Sequence, residues 1–181
     1  MTRLSLISIL VGTLTIAVRL PGVFMPAAFR DAAVKFPRHA PVGRILMGIV
    51  AMIVWWVMYH AAAGDEWKWA QPFIFIGVPV VYGLVYYFTP HYLALRALAA
   101  LMLLAAWQML PPADQSAAPL RLVVTIYAYL WVVIALWMAS APHHFRDLLG
   151  FVMANDRRCR LACCAGIVVG LALVSLGVLV Y

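Results

Sequence analysis

Metal binding is the first chemistry that the residue types of this chain suggest. Thiolate and imidazole side chains bind zinc and copper, and the residues that could supply them are His39, His91, His143, His144, Cys159, Cys163 and Cys164. The histidines follow no ligand spacing, however, and free cysteine is also a common small residue of packed helices. We therefore predict no metal site and no cofactor, although bound lipid is compatible with the sequence.

The sequence also lacks the motifs of common enzyme active sites. The sequence contains no G-x-S-x-G, no glycine-rich phosphate-binding loop and no H-E-x-x-H. The strongly polar candidates within its long apolar segments are Arg19, His60, Arg96 and Gln108, and no Asp or Glu lies inside any of them. Arginine and histidine near the end of such a segment commonly reach the headgroup region. We predict that the protein is not an enzyme.

Basic residues form the most informative pattern. The net charge is +7, and most of it lies beside two short amphipathic stretches. Arginine and lysine next to an apolar stripe attract anionic lipid headgroups or an acidic partner. The residues predicted to bind lipid or a partner are Arg30, Lys35, Arg38, Arg44, Arg146, Arg157, Arg158 and Arg160.

The two amphipathic stretches are copies of one pattern. PAAFRD at Pro26–Asp31 returns as PHHFRD at Pro142–Asp147, 116 positions later (142 − 26) and without a gap. Apolar residues then recur at the i, i+3, i+4, i+7 spacing of a helix with one apolar face. They are Phe29, Ala32, Ala33 and Phe36 in the first copy, and Phe145, Leu148, Leu149 and Val152 in the second. We predict a short interfacial helix in each copy.

The composition indicates a membrane protein. Hydrophobic residues make up 67% of the chain and charged residues 10%, whereas soluble domains are about half apolar and about a quarter charged. Six apolar runs approach the roughly 20 residues that cross a bilayer. The predicted fold is all-α and polytopic, with about six transmembrane helices in three hairpins and two parallel-topology repeats. Each repeat carries one of the amphipathic interfacial helices.

A single membrane domain is predicted over residues 1–181, with repeat A at about 4–63, a middle hairpin at about 72–110 and repeat B at about 120–181. An even number of crossings separates the repeats, so both have the same orientation in the bilayer. Pro21 is expected to kink or end the first span, and Pro111 and Pro112 to end the fourth. Gly166 and Gly170, four positions apart, allow a neighbouring helix to approach closely.

The distribution of basic residues predicts the orientation of the spans. Ten of the 13 lysines and arginines fall in or beside the first, third and fifth loops, and three fall on the opposite side. The positive-inside rule places the richer side in the cytoplasm. We therefore predict a multi-pass protein of the bacterial inner membrane with both termini on the periplasmic side. This distribution explains the positive charge without a nucleic-acid partner.

Each repeat also follows the order of a span, a Pro-x-x-aromatic-Arg turn, an arginine and a glycine-containing span. This pattern is carried by Pro26, Phe29, Arg30, Arg44 and Gly48, and again by Pro142, Phe145, Arg146, Arg160 and Gly166. In this respect each repeat resembles the YjeT-like family of small two-helix bacterial inner-membrane proteins without an established function. The resemblance covers about 55 residues at each end and implies a topology but no catalytic residues. Arg19 and Ala135 stand where those proteins tend to carry an acidic residue.

These patterns predict a non-enzymatic accessory or scaffold subunit. It would pack against other integral membrane proteins and bind anionic phospholipid through its cytoplasmic amphipathic helices, and a homo-oligomer is also compatible with the pattern. Two alternatives stay open. One is a small carrier or channel built on parallel repeats, with Arg19 and Gln108 lining a path. The other is a subunit that anchors a redox cofactor or pigment.

Overall fold

A computed structural model describes residues 2–62, 64, 68–88, 93–116, 118 and 120–181, with the side chain of Arg38 excepted. Helices make up almost all of these residues, and no strand occurs among them. The α-helices are α1 (Arg3–Phe24), α2 (Pro26–Lys35), α3 (Ala40–Ala61), α4 (Gln71–Phe88), α5 (Leu93–Gln115), α6 (Arg121–Ser140), α7 (Pro142–Val152) and α8 (Asp156–Leu179). Short 3-10 turns precede α3 at Phe36–Arg38 and α4 at Lys68–Ala70. The all-α prediction is confirmed.

Six helical segments of the described chain are long and apolar enough to cross a membrane. They are α1, α3, α4 with its preceding turn, α5, α6 and α8, each of 20 to 24 residues. Large apolar side chains are exposed along these segments, for example Leu10 at 65% and Ile126 at 67%. Such exposure is costly in water, but it suits contact with lipid or with neighbouring helices. The prediction of six apolar helices compatible with a membrane is confirmed.

Prolines end fewer helices than the sequence suggested. The first span contains Pro21 and ends at Phe24, as predicted, whereas α5 continues through Pro111 and Pro112 to Gln115. The fourth span is therefore longer than the predicted end near residue 110. A proline removes one backbone donor and crowds the preceding turn, and apolar helices tolerate this loss when neighbouring groups compensate. Pro41 lies in the first turn of α3, where no intrahelical donor is lost.

The described chain forms two compact units, and the first comprises residues 1–35 and 102–181. Its core is built from α1, α8, α6 and the second half of α5. The core residues are Leu4, Ala106, Met109, Ala113, Val124, Ala128 and Leu173. The three alanines and the one valine of this set are each at most 1% exposed, so the helices approach through small side chains. Such contacts rely on van der Waals packing, which is the main attraction between helices in lipid.

Helices α1 and α8 form the most extensive helix pair of this unit. They run antiparallel, because Ser5 near the start of α1 donates a hydrogen bond from Oγ to the carbonyl of Gly177, near the end of α8, at 2.6 Å. The buried positions of α8 alternate at intervals of four and three residues, as in a coiled coil. They are Cys159, Cys163, Gly166, Gly170, Leu173 and Gly177.

The second unit comprises residues 36–101, with α3, α4 and the first part of α5. Helix α4 packs along α3. Gly43 of α3 lies against the backbone of α5, where an added Cβ would sit 2.7 Å from the amide nitrogen of Ala94. No residue of α4 is buried, so this helix offers most of its surface to its surroundings.

The predicted arrangement in three consecutive hairpins is not confirmed. In the first unit the main partner of α8 is α1, whereas the prediction paired α8 with α6. In the second unit the main partner of α4 is α3, whereas the prediction paired α4 with α5. Small residues explain why α8 packs against α1 and not α6. Helices α1 and α8 both carry glycines on the facing sides, and α6 has none. Close backbone approach therefore favours α1.

Candidate lipid and partner interface

The two short helices α2 and α7 begin in the same way. Met25 and Ala141, the residues before their first prolines, have nearly equal backbone angles (φ −129°, ψ 64° and φ −130°, ψ 65°). Their amides donate to the carbonyls of Pro21 and Trp137 at 2.8 and 2.9 Å. The pairs 25/141 and 21/137 keep the 116-residue spacing of the sequence copies. The same local fold therefore recurs where the same pattern recurs.

The correspondence extends to the next helices. Helix α3 begins after His39 and α8 begins after Asn155, again 116 positions apart (155 − 39). The carbonyls of these two residues accept from Gly43 and Cys159, each at 3.0 Å. Helix, junction, short helix, junction and helix thus follow one another at matching positions in both copies.

An ion pair joins α2 to the start of α8. Arg30 Nη1 donates to Asp156 Oδ1 at 2.6 Å, and the two side chains are 31% and 53% exposed. Solvent screens a pair with this exposure, so its contribution is about 0.2–1 kcal/mol. Helix α2 also packs on α7. The basic residues of α2 and α7 therefore lie close to those at the N-terminus of α8.

On α7, Arg146 pairs with its neighbour Asp147. Arg146 Nη2 donates to Asp147 Oδ1 at 2.7 Å. This hydrogen bond is the main reason that the pKa of Asp147 lies below its ordinary value, with smaller contributions from the charge of Arg146 and from His143 and His144. The basic surroundings keep this carboxylate ionised at neutral pH. It offsets part of the positive charge of α7, and the arginines of α8 supply most of the remaining charge.

Apolar and cationic groups lie side by side where α7 meets α8. Phe151 is 63% exposed and Leu148 is 43% exposed. The guanidinium carbon of Arg158 lies 4.5 Å from the centre of the Phe151 ring, within the range of a cation–π contact. An arginine that covers an exposed aromatic ring can meet a headgroup while the ring meets acyl chains. This arrangement suits a membrane interface.

The other predicted residues have different positions. Lys35, Arg157 and Arg160 are exposed in the first unit. Arg44 belongs to the second unit, where it is exposed and lies over the ring of Tyr86. The side chain of Arg38 lies outside the described part of the chain. The first unit therefore assembles Arg30, Lys35, Arg146, Arg157, Arg158 and Arg160 around α2, α7 and the first turns of α8.

Gly166 and Gly170 lie in the α1–α8 interface. An added Cβ at Gly170 would meet the carbonyl oxygen of Gly12 at 2.9 Å. Arg19 crosses the surface of Gly166 and donates from Nη1 to the carbonyl of Ala162 at 3.3 Å. The sequence predicted close packing at both glycines, but it did not predict Arg19 as a contact of α8. The absence of a side chain at Gly166 is what leaves room for the guanidinium.

Some of the described histidines and cysteines form pairs. Among the described residues, no three His, Cys, Asp or Glu side chains are arranged to hold a metal ion. Cys159 and Cys163 are buried in the α1–α8 interface, while Cys164 is exposed. The rings of His143 and His144 are tilted by 43° with their centroids 4.1 Å apart, and His91 lies outside the described residues.

A groove between α3 and α4 was missed by sequence reasoning. It has a volume of about 550 Å³ and is lined almost entirely by apolar side chains. Gly77 on its wall has no atom within 4 Å of the place where a Cβ would lie. A glycine in an otherwise bulky apolar helix was the available signal, because such a residue leaves a gap unless another helix fills it.

Fold and site together define a class: an all-helical protein whose described part has six helices able to cross a membrane and a basic, amphipathic region at one set of helix junctions. No family model, curated protein or solved structure matches this chain. The resemblance to the YjeT-like family accordingly stays a prediction that rests on the two copies of its motif.

Proposed function

We propose that this chain is a non-enzymatic accessory or scaffold subunit of a membrane protein assembly. It docks against other integral membrane proteins through its spans and binds anionic phospholipid through α2 and α7. The lipid-binding part is supported by the exposed arginines and the exposed Phe151 at the junction of α7 and α8. Because arginine heads and apolar rings are adjacent there, the helix can bind headgroups and acyl chains together.

The partner-docking part is carried by Gln108. This amide lies in the interior of α5, seven residues before its last residue, and is exposed on the surface of the chain. A primary amide facing hydrocarbon lacks hydrogen-bond partners, and such side chains commonly bond to a neighbouring transmembrane helix. The adjacent Trp107 is also exposed, at 58%. An amide beside a large aromatic residue is a suitable anchor for a second helix.

The proposal also covers the cellular membrane in which the chain lies and the evolutionary origin of its two copies. We infer a bacterial inner membrane with α2, α7 and the start of α8 on the cytoplasmic side, supported by the ten-to-three division of basic residues. We also infer that α1–α3 and α6–α8 descend from one duplicated unit. The matching helix junctions at a constant spacing of 116 residues support this duplication.

The test is co-purification in a mild detergent from the native membrane. The tagged chain is expected to retain integral membrane proteins in fixed stoichiometry, and Gln108→Leu is expected to reduce their recovery several-fold, because an interhelical amide contact contributes about 0.6–2 kcal/mol. Gln115→Leu is the matched control: it makes the same chemical change at the exposed end of α5 and should leave recovery unchanged.

Two results would contradict the proposal. If the unmodified chain purifies without a partner, the accessory role is wrong, and flux measurements in liposomes would then test the carrier alternative. If partners are present but Gln108→Leu and Gln115→Leu behave alike, the amide is not the anchor. Mass spectrometry of the co-purified proteins gives both readouts.

A further inference from the structure

The groove between α3 and α4 has walls of one chemical kind. Within the second unit, α3 contributes residues such as Met47, Val50 and Val54, and α4 contributes residues such as Phe73 and Val78. These side chains lie on one face of each helix at spacings of three to five residues. The groove extends from Trp69, in the turn before α4, to Tyr82 of α4, which corresponds to about 20 Å at about 1.5 Å per residue. One leaflet of a bilayer provides about 15 Å of hydrocarbon, half of a core of about 30 Å.

Polar groups are concentrated at one end of this groove. Tyr82 lines the groove, and its hydroxyl lies 3.7 Å from the position of a Cβ at Gly48. The ring of Tyr86, one turn further along α4, lies 6.3 Å from that of Tyr82. Arg44, one turn before Gly48, places its guanidinium carbon 5.4 Å from the centre of the Tyr86 ring. A cation and two phenol groups therefore lie beside one end of the apolar groove.

The opposite end differs in chemistry. Trp69 lies there with its ring 66% exposed and packs edge-on against Phe73 at 6.3 Å. Tryptophan is typical of the boundary between hydrocarbon and headgroups. The groove thus has Trp69 at one end, where Lys68 precedes it in the same turn, apolar walls throughout, and Arg44 with two tyrosines at the other end. A guanidinium beside two phenol hydroxyls offers a cation and hydrogen-bond donors to an anionic headgroup.

We propose that the groove between α3 and α4 binds one anionic phospholipid, with an acyl chain along the apolar walls and the phosphate at Arg44. The size of the groove favours this occupant. A helix 10–12 Å in diameter and about 20 Å long occupies roughly 1,600–2,300 Å³, several times the 550 Å³ of the groove. A partner helix would cover the groove without filling it, whereas a flexible chain can follow its walls.

Filling the groove tests the apolar half of the site. Gly77→Leu places a side chain in the groove. An added Cβ at Gly77 meets no atom within 4 Å, so we expect the variant to fold normally. Gly83→Leu is the matched control, because Gly83 lies on the same helix with equally open surroundings and does not line the groove. The probe is phosphatidylglycerol with a photoreactive group on one acyl chain, reconstituted with the purified chain in phosphatidylcholine vesicles.

We expect the probe to label groove residues of α3 and α4, and Gly77→Leu to reduce this labelling at least several-fold while Gly83→Leu does not. Arg44→Gln should weaken labelling by phosphatidylglycerol and bring it close to that of a phosphatidylcholine probe. Arg3→Gln serves as its control, since Arg3 is exposed, lies in the first unit and belongs to neither proposed lipid-binding surface.

Other outcomes would overturn the proposal. Labelling spread evenly over all exposed faces of α3 and α4, unchanged by Gly77→Leu, would show ordinary contact with bulk lipid. Cross-links from groove residues to another protein in native membranes would assign the groove to a partner helix. These results are independent of Gln108 and α7, so a failure here leaves the accessory-subunit proposal untouched.

Discussion

Glycines of the α1–α8 interface differ in what surrounds them. At Gly12 an added Cβ would lie 2.7 Å from the carbonyl oxygen of Gly170, a backbone atom that cannot move alone. At Gly166 the obstruction is the flexible end of the Arg19 side chain. At Gly150 of α7 nothing lies within 4 Å. The same substitution should therefore have three different effects.

We expect Gly12→Ala to lower the free energy of unfolding by about 1–2 kcal/mol. Overpacking costs about 1–3 kcal/mol, and alanine regains about 0.5–1 kcal/mol of helix propensity. Gly166→Ala should cost less, because the guanidinium can swing away. Gly150→Ala should be neutral or stabilising. Unfolding by denaturing detergent, followed by circular dichroism, measures all three; equal losses at Gly12 and Gly150 would contradict a close backbone contact.

At the level of single residues, the sequence predicted part of the α1–α8 interface. The spacing of Gly166 and Gly170 indicated where another helix could approach, since small residues four positions apart share one helix face. The identity of that helix was not predictable, because Gly12 and Gly22 lie ten positions apart and form no such motif. Arg19 was interpreted from its type and depth alone, and neither property contains information about Gly166.

Helix α7 was predicted from its own sequence, but its contact with α8 was not. Its apolar spacing was visible in the sequence, and the structure confirms a helix at Pro142–Val152. The contact of Phe151 with Arg158 was not predictable, because it depends on the turn between α7 and α8. Helix boundaries at prolines were the least predictable feature: α5 passes through Pro111 and Pro112, and sequence rules for soluble helices would end it earlier.

The interfacial position of α7 can be tested with a fluorescent probe at adjacent residues. In a background without the three native cysteines, an environment-sensitive dye is attached at Leu148→Cys or at Asp147→Cys. Leu148 is an exposed apolar residue, whereas Asp147 is an ionised neighbour. In phosphatidylglycerol vesicles we expect blue-shifted emission and several-fold weaker iodide quenching at position 148 than at 147. Equal quenching at both positions would show that α7 does not lie in the interface.

The ends of the described chain meet in the first unit. Thr2 Oγ1 donates to the carbonyl of Tyr181 at 3.0 Å, and the Tyr181 hydroxyl donates to the carbonyl of Leu120 at 2.7 Å. Burial raises the pKa of this tyrosine above its ordinary value, so the hydroxyl remains protonated and able to donate at neutral pH. The starts of α1 and α6 therefore lie on the same side of the unit as the end of α8.

Cross-linking tests this arrangement in the whole molecule. In the cysteine-free background, Thr2→Cys with Tyr181→Cys is expected to form a disulfide under mild oxidation in most molecules. Thr2→Cys with Ser140→Cys, which joins opposite ends of the unit, should form none. A membrane-impermeant maleimide applied to intact cells should block the first cross-link if these residues face the periplasm. Failure of the first pair to cross-link would contradict the antiparallel α1–α8 pair, and cross-linking of the control pair would contradict the placement of α6 relative to α1. A disulfide that still forms in the presence of the reagent would reverse the proposed orientation.

The pairing of α1 with α8 also has a consequence for biosynthesis. Helix α8 begins 132 residues after α1 ends (156 − 24). At about 5–20 residues per second, a ribosome needs roughly 7–26 s to make that stretch. During this interval Ser5 and Arg19 of α1 lack the carbonyls of Gly177 and Ala162, to which they donate in the folded protein. Until α8 is made, an insertase or the spans synthesised in between must cover the side of α1 that later faces α8. A messenger RNA truncated before α8 yields a product in which α1 lacks its main packing partner.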